Sequence, residues 1–307
     1  MISPLRPGDR IALVAPSSPF DIEKFHRAGS FLESKGYGLA AGKSVLQKKG
    51  YLAGAETERA EDLIHAISNP DVSAVICIRG GFGSSRILPW LPFSVLRKTP
   101  KIFLGYSDAT FLHLAFHAQM GWTTFHGPSL IEMVDFPEKM SNVLNALSGG
   151  RDFSWQIENH QILRQGMATG TLLGGNLTCL CHLLGTPYFP DLKGALLLLE
   201  DRGEALYRLD RLLTQLKLAG VLDQIGGLIL GHFHECGEAQ KIWDMVLDQV
   251  KYYSFPVVAD LPFGHGSPNQ VTPLGLPFML NTFDRIFRAI KEPFITRDAR
   301  DGAAPGQ

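Results

Sequence analysis

The stretch from Lys101 to His113, KIFLGYSDATFLH, constrains the fold more than any other part of the chain. Ile102, Phe103 and Leu104 form a short apolar run after Pro100, and from Ala109 to Met120 the pattern becomes helical. Gly105-Tyr106-Ser107-Asp108 must then be a tight strand-to-helix turn. Gly105 lets the backbone bend, Asp108 can cap the new helix, and a hydroxyl held at a helix N-terminus faces unpaired N–H groups. A serine placed there can attack a carbonyl while nearby N–H groups stabilise the oxyanion that forms. The motif departs from Gly-x-Ser-x-Gly, because Ala109 stands where the second glycine would be. Taken alone, the stretch reads more readily as an ordinary helix N-cap.

The chain before this turn alternates strand and helix. Ile11 to Ala15 is an apolar run stopped by Pro16 and Pro19, a helical stretch follows from about Asp21 to Lys35, and Tyr37 to Ala41 is a short strand. Thr57 to Ser68 carries Ala60, Leu63, Ile64 and Ile67 at helical spacing. Ala74 to Ile78 is β-rich without alternation, the pattern of a strand covered on both faces in a parallel sheet. It runs into Arg79-Gly80-Gly81-Phe82-Gly83. If the strands ending at Ile78 and Leu104 are neighbours, both loops meet at one carboxyl edge, where open α/β sheets bind ligands.

Trp122 to Phe125 suggests a further strand and Lys139 to Leu147 a helix, before Ser148 to Asp152 breaks the pattern. This places a first domain at 1–150, a boundary at 151–165 and a second β/α domain at 166–297. In the second half, strands are expected at 153–157, 166–173, 195–199, 225–230 and 257–260, with helices at 177–184, 206–216 and 239–250. Short strands follow around Val271, Phe278 to Leu280 and Phe287 to Ile290, and the polar tail 298–307 reads as disordered.

The glycine loop has three readings. A dinucleotide fingerprint needs Gly-x-Gly-x-x-Gly and an acidic residue after the next strand, whereas here the spacing is Gly80, Gly81, Gly83 and the next strand ends in Gly105-Tyr106. A plain glycine turn is the second reading. In the third, Gly80 and Gly81 let the backbone approach a substrate and aim an N–H at the carbonyl oxygen, beside the N–H of Asp108.

A nucleophilic serine needs a base, and the base needs an orienting carboxylate. Of ten histidines, His113 and His117 read as helix-face residues and His182 as a core or interface residue. His232 and His234 flank Phe233, but no second ligand group has matching spacing, so no metal site is expected. His265 stands between Gly264 and Gly266 in a loop after a strand, where functional side chains collect. Glu200 ends a strand of four leucines and is expected to point into a cleft, although Glu200 or Asp201 could instead cap the next helix.

Charge narrows the partners. With 29 basic and 30 acidic residues the net charge is −1, a balance that favours neither nucleic acid nor an anionic membrane. The N-terminus lacks a signal-peptide core and no apolar run approaches the roughly 20 residues of a membrane span, so a cytoplasmic protein is expected. Cys77, Cys179, Cys181 and Cys236 do not form a disulfide framework.

Three segments resemble one family. Gly105 to Asp108 after an apolar strand, Leu199-Glu200-Asp201 followed by Tyr207 and Asp210, and Phe263-Gly264-His265-Gly266 look like the serine LD-carboxypeptidases, which include murein tetrapeptide carboxypeptidases and microcin-C self-immunity peptidases. Leu52 to Arg59, Ile78 to Gly83 and Leu173 to Leu177 agree, so the resemblance runs from Ala15 to about Ile290. It implies a Rossmann-like parallel-sheet N-terminal domain, a smaller β/α C-terminal domain and a homodimer. It further implies a triad of Ser107, Glu200 and His265 and an oxyanion hole from the N–H groups of Gly81 and Asp108, with no cofactor. Phe82 stands where the family often has tyrosine. Microcin-type relatives are longer, with an extra substrate loop for which this chain has no room, which favours cleavage of murein tetrapeptide in peptidoglycan recycling. Arg79, with Gly80 beside it, is a candidate to meet the terminal carboxylate of the substrate. The rival readings are a peptidase or amidase for aminoacyl-nucleotide peptides and a non-catalytic ligand-binding module.

Overall fold

The computed structural model describes residues 2–295; the tail 298–307, expected to be disordered, lies outside them. The first elements are β1 (Arg10–Val14), α1 (Ile22–Ser34), β2 (Gly38–Ala41), α2 (Glu56–Ser68), β3 (Val72–Cys77), α3 (Phe93–Leu96), β4 (Ile102–Gly105), α4 (Thr110–Met120), β5 (Thr124–His126), α5 (Leu130–Met133) and α6 (Pro137–Leu147). There follow β6 (Ser154–Gln156), β7 (Ile162–Arg164), β8 (Met167–Asn176), α7 (Leu177–His182), β9 (Leu196–Arg202), α8 (Leu206–Leu218), β10 (Gly227–His234), α9 (Ala239–Gln249), β11 (Val257–Val258), β12 (Thr272–Leu274), β13 (Pro277–Asn281) and β14 (Ile286–Ala289).

The strands form two sheets. The first has the order β12-β5-β4-β3-β1-β2, parallel except for β12, which lies antiparallel on β5. The second has the order β6-β14-β13-β8-β9-β10-β11-β7, with β8, β9, β10 and β11 parallel and the outer strands antiparallel. The segment 151–165 supplies both edge strands of the second sheet, β6 and β7.

Burial explains why the central strands lack alternation. In β3, Ala74 and Ile76 face one core while Val75 and Cys77 face another, and in β9 Leu196 and Leu198 part from Leu197 and Leu199 in the same way. Each of these leucines is fully buried, which stabilises the fold by about 1.5–3 kcal/mol per side chain. Both cores contain residues of both sheets, so the sheets share their apolar interior. Helix α4 is apolar nearly all round and is buried accordingly.

Register sets up the site. β3 and β4 are parallel neighbours with Ile76 opposite Leu104, so the loops that follow them leave the same edge. On the second sheet, Asn176 at the end of β8 is opposite Glu200 in β9.

Several local expectations need correction. The strand through the four leucines continues to Arg202, and Asp108 does not cap the helix. Ser107–Ala109 is a single 3-10 turn before α4, because the Asp108 carboxylate is recruited by distant serines instead. His113 lies in the core rather than on a helix face, since α4 has no exposed face there. His182 is exposed rather than in the core, because α7 ends at the rim of the cleft.

Candidate active site

Ser107 opens the 3-10 turn two residues after β4, with φ of 59°, in the left-handed region that non-glycine residues rarely adopt. Holding it there costs on the order of 1–3 kcal/mol, supplied by the surrounding packing. Gly105 makes the turn possible: a Cβ on it would stand 2.8 Å from Ala109 Cβ and 3.0 Å from Cys77 Sγ. The glycine loop after β3 presses on the same point. A Cβ on Gly80 would lie 3.1 Å from Ser107 Oγ and 3.7 Å from Asp108 N, which puts this loop beside both the hydroxyl and the N–H that follows it. Gly81, with φ of 114°, is packed against Ser18, whose hydroxyl accepts the Phe82 N–H at 3.1 Å.

Asp108 ties these loops together. Its buried carboxylate accepts from Ser17 Oγ, from Ser84 N at 2.8 Å and from Ser84 Oγ at 2.6 Å, so the loops after β1, β3 and β4 share one anchor. Neither serine announces this role in the sequence, because the three segments are far apart along the chain.

Glu200 and His265 form a close pair. Glu200 Oε2 accepts the His265 ring Nδ1–H at 2.7 Å and the His265 backbone N–H at 2.9 Å. The carboxylate is fully buried beneath the His265 loop and does not open into the cleft as expected from sequence. Gly264 is the reason: with φ of 90°, it lies so close that a Cβ would stand 2.5 Å from Glu200 Cβ. Burial alone would raise the Glu200 pKa, but the His265 charge and hydrogen bonds outweigh it and hold the carboxyl below its ordinary range. Burial alone would lower the His265 pKa, and the adjacent Glu200 charge and hydrogen bond turn the balance upward.

With Nδ1 engaged, the His265 ring presents Nε2 as its remaining nitrogen. Ser107 and His265 line one cleft of about 410 Å³, without a direct hydrogen bond between them. Catalytic hydrogen bonds in unliganded sites commonly tighten only once substrate is bound. Tyr106 lies tilted against His265, with ring centroids 4.8 Å apart, and its hydroxyl donates to Glu132, a cleft residue that also caps α5 through Ser129. Sequence reading singled out neither Tyr106 nor Glu132 as a site residue.

Asp201 turns the opposite way from Glu200. It accepts from Asn176 Nδ2 at 2.8 Å, Thr178 N at 3.0 Å and Thr178 Oγ1 at 2.8 Å, and so anchors the start of the preceding helix α7 rather than the next one. Arg79 lies exposed at the rim of the cleft with Nη1 donating to Pro19 O at 2.6 Å. Beside it, Phe82 is half exposed and packs edge-on against Tyr51. His232 approaches Asp260 at 3.9 Å and His234 approaches Glu235 at 3.6 Å; among the described residues no group of three or more His, Cys, Asp or Glu side chains could hold a metal ion. Nor is any helix among those residues long and apolar enough to cross a membrane.

Known proteins are similar to this chain over most of its length. Residues 11–127 match the LD-carboxypeptidase N-terminal domain and residues 169–280 the LD-carboxypeptidase C-terminal domain. The chain is 38% identical over 291 residues to the probable murein peptide carboxypeptidase of Bacillus subtilis (strain 168), which covers 92% of this chain and 91% of that protein. It is 28% identical to the microcin C7 self-immunity protein MccF of Escherichia coli, covering 97% of each chain. The crystal structure of muramoyltetrapeptide carboxypeptidase from Oxalobacter formigenes matches with a TM-score of 0.81 at 31% identity, over 91% of this chain and 97% of that one.

Proposed function

The chain belongs to the LD-carboxypeptidase family of serine-type carboxypeptidases, and from that premise we propose that it removes the terminal D-alanine from murein tetrapeptides through an acyl-enzyme on Ser107. The observation that carries this reading is the double hold of Glu200 on His265, which leaves one imidazole nitrogen in the cleft that Ser107 also lines. In the first step His265 Nε2 takes the Ser107 proton as Oγ bonds to the carbonyl carbon of the L,D peptide bond. The oxyanion is met by the N–H groups of Gly81 and Asp108. Collapse breaks the C–N bond, and the proton on His265 Nε2 passes to the departing amine of D-alanine. Water then attacks the ester, gives its proton to His265, and the tripeptide leaves as a carboxylate while the proton returns to Ser107 Oγ.

Glu200 holds the imidazole in the tautomer with Nδ1 protonated and stabilises the imidazolium. Arg79, with Gly80 beside it, is assigned to the terminal carboxylate of the substrate, because it reaches the cleft rim without a carboxylate partner among the described residues. The proposed division at 151–165 puts Ser107 in one domain and Glu200 and His265 in the other, although β12 returns from the second half to the edge of the first sheet. On this reading the protein works in the cytoplasm as a homodimer that recycles peptidoglycan fragments.

The likeness to MccF over 97% of each chain favours one second reading, a peptidase acting on aminoacyl-nucleotide peptides. Incubation with an activated acyl compound, followed by peptide mapping, tests the chemistry common to both. A single acyl group on Ser107 is expected, and acylation elsewhere with Ser107 unmodified contradicts the assignment.

A further inference from the structure

A second histidine lies behind the His265 and Glu200 pair and takes no part in the steps above. His126 closes β5, is fully buried, and has no hydrogen-bond partner on either ring nitrogen among the described residues. Two other buried oxygens there are in the same condition. Thr272 Oγ1 lies directly opposite His126 across the β5 and β12 pair, and Glu200 Oε1 belongs to the carboxylate with which His126 interacts electrostatically. Unpaired buried polar groups are rare and costly, and three together call for an explanation.

The neighbours cannot supply the missing bonds. Tyr106, with its ring 6.0 Å from that of His126, commits its hydroxyl to Glu132. His113, 6.2 Å away, has both ring nitrogens satisfied, by Thr124 Oγ1 and by Gly105 O at 2.8 Å each. His265 has spent Nδ1 on Glu200. What remains around His126 is a hydroxyl donor on Thr272, one donor and one acceptor on a neutral imidazole, and an acceptor on Glu200; His232 Nδ1, likewise buried and unpartnered among the described residues and also in electrostatic interaction with Glu200, lies against Gly266.

We propose that His126 is a positioning residue whose ring N–H donates to Glu200 Oε1 while the Thr272 hydroxyl donates to its other nitrogen, bonds that tighten once substrate is bound and extend the catalytic line to Thr272, His126, Glu200, His265 and Ser107. This rests on the triad assigned above. Burial pushes the His126 pKa down to about 4, so near neutral pH the ring keeps one N–H and one lone pair, as the role requires. The titratable groups around it are Tyr106 at the end of β4, His113 on α4, Glu200 on β9 and His265 in its loop. Without the His126 donor the Glu200 anion is less stabilised and more basic, so its charge bears more strongly on His265 and the His265 pKa rises, while the carboxylate loses a contact that orients it.

The test compares His126→Phe, His126→Gln and Thr272→Val on murein tetrapeptide across pH. His126→Phe is expected to lower kcat roughly 10- to 100-fold with KM little changed, and to move the acid limb of kcat/KM to higher pH. His126→Gln, which keeps an N–H donor, is expected to recover most of both, and Thr272→Val to show a smaller loss. A folded His126→Phe variant with wild-type kcat and acid limb overturns the proposal, as does equal impairment in the Phe and Gln variants. If His126→Phe does not fold, NMR of the wild-type protein with 15N-labelled histidine decides: the His126 ring N–H signal is expected to shift in Glu200→Gln, and an unmoved signal overturns the role. Ser107→Ala run alongside keeps the two claims apart, since turnover retained by that variant would sink the triad itself.

Discussion

Glu200 Oε2 accepts two hydrogen bonds from one residue, the ring Nδ1–H of His265 at 2.7 Å and its backbone N–H at 2.9 Å. A carboxylate held in this way fixes both the position of the loop and the tautomer of the ring. The chemistry proposed for Ser107 depends on both.

Because the Glu200 charge and hydrogen bond raise the His265 pKa, the neutral base predominates only above a pH higher than the ordinary imidazole value of about 6.5. The acid limb of kcat/KM should therefore have its midpoint above about 6.5 in the wild type. In Glu200→Gln the charge is gone and burial remains, so the midpoint should fall while kcat drops on the order of 10⁴-fold. Steady-state kinetics across pH check both shifts.

Gly264 is the contact through which the loop lies on Glu200. Gly264→Ala places a Cβ 2.5 Å from Glu200 Cβ at a φ of 90°, so the loop must lift. The expected result is a loss of about 1–3 kcal/mol in urea unfolding together with most of the activity. Unchanged stability and turnover would mean that the loop tolerates a different path.

Arg79 should matter to binding more than to chemistry. Arg79→Gln is expected to raise KM for a tetrapeptide with a terminal carboxylate roughly 10-fold or more, and to leave the weaker turnover of the C-terminal amide unchanged. Equal losses on both substrates would place Arg79 outside the carboxylate site.

Two buried histidines contribute to the acid stability. Burial pushes His113 down to about 3 and His126 to about 4, so in acid the unfolded chain takes up protons that the folded chain refuses. Their contribution is complete above the unfolded value of about 6.5 and is lost as pH falls towards the folded values. The urea midpoint should therefore decline below about pH 6.5, and His113→Gln should make that decline shallower.

What could be read in the sequence was what local pattern encodes. The apolar run 102–104, the turn at Gly105 and the helical spacing after Ala109 are all short-range signals, and the structure places β4, the turn and α4 there. Non-alternating strands at 74–78 and 195–199 are likewise local, because burial on both faces demands apolar residues throughout. Contacts between distant segments left no such mark. Ser17 and Ser84 meet Asp108, Tyr106 meets Glu132, and Thr272 comes to lie opposite His126 only because β12 crosses back to the first sheet. The 3-10 helix Ser84–Trp90, which contains Pro89, and the short α3, α5 and β7 are too brief for periodicity to reveal. Glu200 was placed at the right strand but not in its burial, which depends on Gly264 about sixty residues later.

The most direct test of the account is mass spectrometry of murein tetrapeptide incubated with the wild-type protein and with Ser107→Ala. The account predicts loss of one alanine with the wild type and an intact peptide with the variant. Equal cleavage by both proteins would contradict Ser107 as nucleophile, and an intact peptide with both would contradict the murein substrate.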